Sequence, residues 1–128
     1  MRMKNVIVAV ALTVGTALLA SQLGAFGFWL PSAQRYILIC TENGLSEKIM
    51  ARTALEPWGP WSSATVVYRC PEASWDKQIF CYTAKAHPML SSATDELIVT
   101  YAANSFDVAQ VLNDARLYWP RFVRVKLP

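Results

Sequence analysis

From Val6 to Leu30 the chain carries 25 consecutive residues without a charge, 18 of them apolar, behind a basic Met1-Arg2-Met3-Lys4 start. As a helix at ~1.5 Å per residue, that length reaches roughly 37 Å, more than the ~30 Å hydrocarbon layer of a bilayer. Two readings compete. A secretory leader has an apolar region of only ~7–15 residues and ends in small residues. A cut after Ala20 leaves bulky Leu18 at −3, and one after Gly27 satisfies the small-residue rule only behind an overlong apolar region. Length therefore favours a retained single N-terminal transmembrane helix over 6–30. Phe26, Phe28 and Trp29 would then form an interfacial aromatic belt, and Pro31 would end the helix.

Charge bias sets the orientation. Arg2 and Lys4 precede the run, which keeps residues 1–5 in the cytoplasm and places 31–128 outside, in the periplasm if the membrane is a bacterial inner membrane. Ala9, Thr13, Ala17, Ser21 and Ala25 recur every fourth residue, with Ala20 and Gly24 in an adjoining column beside Thr16. Small residues so spaced let other transmembrane helices approach closely, so membrane lipid and neighbouring helices are the expected partners.

Residues 31–128 hold ten basic residues against all nine acidic ones, an ordinary globular balance. With 54% apolar and 16% charged residues the whole chain is too apolar for disorder, and its +3 charge is too spread for nucleic acid. RYILICT (35–41) is a β-rich run, punctuated by Asn43-Gly44. Ile49, Met50, Thr53 and Ala54 share one helical face, which predicts a helix over 47–55 capped by Ser46 and stopped by Pro57. Strands are expected over 64–70, 77–84 and 96–103, then a helix capped by Ser105 with Val108, Val111, Leu112, Ala115 and Trp119 inward, and a closing strand over 121–127. The order β-α-β-β-β-α-β predicts an α+β domain, a ferredoxin-like variant with two helices on a mostly antiparallel sheet.

Cys70 and Cys81 flank the first expected hairpin. A disulfide between them closes a loop of about 12 residues and contributes about 3 kcal/mol in the chain-entropy model. A bridge from Cys40 to either of them stays open, because the first strand could neighbour the third; with Cys70–Cys81 paired, Cys40 is left over as a buried thiol. Cys40, Cys70, Cys81 and His87 together make a poor zinc set, because the spacing lacks the tight pairs of zinc motifs. His87, the only histidine, sits before Pro88 in a loop with no third group to orient it for catalysis. Glu72, Asp76, Asp95, Glu96, Asp107 and Asp114 each suit a turn, a strand flank or a helix start better than a hydrolytic pair. No phosphate loop, dinucleotide fingerprint, zinc-protease or nucleophile-elbow motif is present, so no cofactor, metal or enzymatic activity is expected.

Two surface features point to partner contact. Trp58 and Trp61 stand in the proline-fixed loop Pro57-Trp58-Gly59-Pro60-Trp61, and Trp29 lies at the membrane boundary. Arg121, Arg124 and Lys126 make a basic terminus interleaved with aromatics. The leading expectation is a non-enzymatic single-pass accessory or assembly subunit of a larger membrane complex. The alternative is a cleaved, soluble exported binding or inhibitor domain.

Overall fold

A computed structural model describes residues 26–91 and 95–127. They form seven strands: β1 (Phe26–Leu30), β2 (Arg35–Thr41), β3 (Lys48–Ala54), β4 (Thr65–Arg69), β5 (Ile79–Ala86), β6 (Glu96–Ser105) and β7 (Arg121–Lys126). One helix, α1 (Val108–Asn113), and three short 3-10 turns complete the described elements. Two antiparallel sheets result, four-stranded in the order β1-β2-β3-β4 and three-stranded in the order β5-β6-β7.

Strict alternation explains the best-defined strands. In β2, Ile37, Ile39 and Thr41 point inward, while Tyr36, Leu38 and Cys40 lie on the other face. In β6, Leu97, Val99, Tyr101, Ala103 and Ser105 are all buried at every second position. The inward residues of both sheets, with Ile49, Ala51, Ile79, Cys81, Ala84 and Val125, make one hydrophobic cluster. The two sheets thus face each other across a shared core, as two antiparallel layers do when each has one apolar face to cover.

This architecture corrects the α+β expectation: the described chain is mostly antiparallel β with almost no helix. No described helix is long and apolar enough to cross a membrane. Residues 26–30, assigned above to the end of a membrane helix, are strand β1, paired residue for residue with β2 from Phe26↔Ile39 to Leu30↔Arg35. The small-residue columns at Ala9, Thr13, Ala17, Ala20, Ser21, Gly24 and Ala25 lie outside the described residues, as do residues 1–5 and the body of the expected span.

The helix expected over 47–55 is β3. Ile49, Met50 and Ala51 are buried in succession because β3 sits between β2 and β4, and because β4 carries an extra residue, Val67, at the step from Ile49↔Tyr68 to Met50↔Val66. That irregularity hides the period of two. The expected hairpin of 64–70 with 77–84 does not form either. β4 and β5 belong to different sheets, and residues 70–78 carry the chain from one to the other through a 3-10 turn at Pro71–Ser74.

The second expected helix is cut short. Asp107, not Ser105, caps α1, its carboxylate accepting from the Ala109 N–H at 2.9 Å. Asp114 then accepts from the Arg116 N–H at 3.1 Å and starts a separate 3-10 turn over Ala115–Tyr118. Of the inward face read from periodicity, Val111 packs against the core, whereas Val108, Leu112 and Trp119 are exposed.

The two sheets are joined along β5. The Ser46 N–H donates to the Cys81 carbonyl at 3.0 Å, Leu45 bridges Tyr82, and the buried Thr41 hydroxyl accepts from the Ala84 N–H at 3.2 Å. Between these contacts β5 bulges, and Thr83 adopts φ +54. A β-branched residue in the left-handed region is strained by roughly 1–2 kcal/mol. Thr83→Asn, which tolerates that region, should raise stability by about 1 kcal/mol in equilibrium denaturation. Thr41→Val, which strands the Ala84 amide, should lower it by about 1–3 kcal/mol.

Candidate functional site

The densest polar arrangement is built where the chain crosses between the sheets. Pro71 occupies the start of the Pro71–Ser74 turn, and the Ser74 hydroxyl closes it by donating to the Pro71 carbonyl at 2.7 Å. This turns Glu72 inward, where only 5% of it is exposed. A carboxylate so placed needs partners on both oxygens. Tyr101, on the inner face of β6, donates to Glu72 Oε2 at 2.8 Å, and Arg121, at the start of β7, donates through Nε to Oε1 at 2.9 Å.

The Arg121 guanidinium is used on every side. Nη1 donates to the Trp119 carbonyl and Nη2 to the Arg116 carbonyl at 2.6 Å, so one residue ties β7 to the 115–119 turn. The Trp75 ring lies under two guanidinium groups, Arg116 at 4.5 Å and Arg121 at 5.8 Å from its centroid. Arg116 grips Asp114 with Nε and Nη2 at 2.8 and 2.6 Å. The hydrogen bonds from Arg116 hold the Asp114 carboxyl below its ordinary value.

Burial and the hydrogen bond to Glu72 push the Tyr101 phenol up. The Cys70 thiol is also pushed up, first by its hydrogen bond with Cys81 and then by burial. These groups therefore hold their protons. A buried carboxylate with both oxygens occupied, held by a phenol and a guanidinium, makes a structural clamp.

Of the other sequence candidates, Cys70 and Cys81 meet in the shared core as hydrogen-bonded thiols, while Cys40 lies apart from them on the outer face of the four-stranded sheet; all three are free thiols. Burial raises the Cys40 thiol's pKa, offset in part by Arg52. His87 Nε2 shares a hydrogen bond with the Thr100 hydroxyl at 2.7 Å. Among the described residues no three His, Cys, Asp or Glu side chains gather as metal ligands.

Trp61 lies over Gly27 of β1, so closely that a Cβ there would meet its ring at 3.0 Å, while Trp58 is 55% exposed. Trp29 is half exposed and meets Tyr36 edge-on at 5.1 Å. Of the basic terminus, Arg124 and Lys126 are exposed, but Arg121 is spent on Glu72. Sequence reasoning missed Trp75 and Tyr101 altogether. Glu72 and Arg121 are 49 residues apart and no spacing rule links them.

The exposed counterpart of the clamp is the stretch it anchors. Phe106, Val108, Leu112, Tyr118, Trp119 and Phe122 are each more than 60% exposed along 17 residues. Phe106 also stacks on Phe80 at 4.4 Å between centroids.

Removing Glu72 leaves Arg121 and Tyr101 buried without their partner, so Glu72→Ala should cost about 3–5 kcal/mol in chemical denaturation. Tyr101 and Cys70 bind their protons more tightly folded than unfolded, from ordinary values of 10.0 and 9.0. The stability these two groups contribute is therefore fully present below pH about 9 and is lost as pH rises further, and Tyr101→Phe should make that alkaline fall shallower.

No curated protein matches the chain. The model of one family, described as a domain of unknown function (DUF5005), matches residues 27–127, from β1 through β7. This two-sheet domain is therefore a member of the DUF5005 family.

Proposed function

We propose that this chain is an exported, non-enzymatic binding module, led out by its apolar N-terminal segment, that contacts a partner protein through the apolar stretch between Phe106 and Phe122. The observation that carries the reading is the union of that exposure with the buried Glu72–Arg121 pair beneath it. Large aromatic side chains on a rigid base lose little conformational entropy on docking and make effective anchors.

The position of β1 supports export with removal of the leader. Because β1 begins at Phe26, the part of the uncharged run that precedes it in sequence is 6–25 and not 6–30. A cut after Gly27 would split β1, whereas one after Ala20 falls five residues short of it and leaves the strand whole. Occupied carboxylate oxygens on Glu72 and raised thiol and phenol pKa values support binding over catalysis.

Native purification followed by intact-mass measurement tests both parts. The expected product is aqueous, lacks about the first 20 residues, the cut compatible with β1, and co-purifies with a protein that is lost on Trp119→Ala or Phe122→Ser. Protein that retains Met1 and partitions with membranes overturns the exported-module reading in favour of the tethered subunit, and retention of the same partner by both variants overturns the assigned surface.

A further inference from the structure

A sheet edge presents unpaired N–H and C=O groups, and proteins that stay apart guard such edges with charge, bulges or a cover. Three of the four edges here are guarded. β4 carries the extra residue Val67 and ends at Arg69, which pairs with Glu47 at 2.6 Å. β5 is bulged at Thr83 and covered by Leu45 and Ser46. β7 carries Arg121, Arg124 and Lys126, and two-fold pairing about Arg124 would set that cation against its own copy.

β1 differs on every count. Its sequence, Phe26-Gly27-Phe28-Trp29-Leu30, has no charge and no proline. Its register with β2 runs unbroken across all five residues, and among the described residues it pairs on one side only. Uncharged, unbulged edge strands of this kind are templates for strand addition.

The sequence of β1 also fits itself. In an antiparallel pair centred on Phe28, Trp29 of one copy stands opposite Gly27 of the other, twice, by symmetry. Trp29 is 44% exposed on the outer face of the sheet. Gly27 carries no side chain, and the Trp61 ring fills the place over it, so the incoming indole would pack against the edge of that ring. No like charges meet anywhere along the pair.

We infer that β1 is a self-association edge: two copies of this chain pair antiparallel through Phe26–Leu30 about a two-fold axis at Phe28, joining their four-stranded sheets into one. Five residues and two tryptophans make a short interface, well below the area of tight dimers, so the dimer is weak and depends on concentration.

Sedimentation velocity of the full chain, and of its secreted form if processed, from low micromolar to millimolar concentration tests this. A reversible monomer–dimer equilibrium is expected. Trp29→Lys should raise its dissociation constant at least about tenfold, ~1.4 kcal/mol, while Arg124→Glu on the β7 edge leaves it unchanged. Far-UV circular dichroism checks that Trp29→Lys is folded. Should it not be, hydrogen exchange on the unaltered protein decides: amides 26–30 must slow as concentration rises. A monomer at every concentration, a dimer indifferent to Trp29→Lys, a dimer broken by Arg124→Glu, or unchanged exchange at 26–30 overturns the inference.

Discussion

A carboxylate taken out of water must be answered on both oxygens, and the way Glu72 is answered organises much of this domain. The residue sits on the crossing that leads from β4 of the four-stranded sheet to β5 of the three-stranded one. Its partners come from the middle strand and the far edge of the second sheet. Arg121, held there, gives its remaining donors to carbonyls of the 115–119 turn. One buried charge therefore fixes the crossing, two strands and the turn, and a surface that would otherwise be a loose helix end gains a defined position.

The surfaces follow from this division of labour. The clamp side presents aromatics from chain segments whose backbones are pinned by buried or capped groups. The opposite sheet ends in an uncharged strand at β1, next in sequence to the apolar N-terminal run. Both features are exposed apolar chemistry in a domain whose remaining sheet edges are charged, bulged or covered, and a domain that guards three edges leaves the fourth conspicuous.

Much of the local pattern was readable. RYILICT, the alternating ELIVTYAANS and RFVRVK are strands where periodicity and β-branched content placed them. The errors have local causes. The Asn43-Gly44 pair, with both residues at positive φ, is a hairpin turn, and read as such it would have made residues 48–54 a strand paired back on β2. The helical face drawn through Ile49, Met50, Thr53 and Ala54 arose because an extra residue in β4 and burial on two sides erased alternation. Phe26–Leu30 carries the same apolar character as the residues before it, and nothing within the sequence marks it as a strand that pairs with β2.

Alternation and turn chemistry are properties of neighbours in the chain, so strands such as β2 and β6, and the family of turns around them, are legible in residues a few places apart. Sheet membership and the Glu72–Tyr101–Arg121 clamp are not. They join residues separated by tens of positions, and which of several possible partners a buried strand or charge takes is decided by packing the whole core at once, where the competing pairings differ by contacts that no single segment contains.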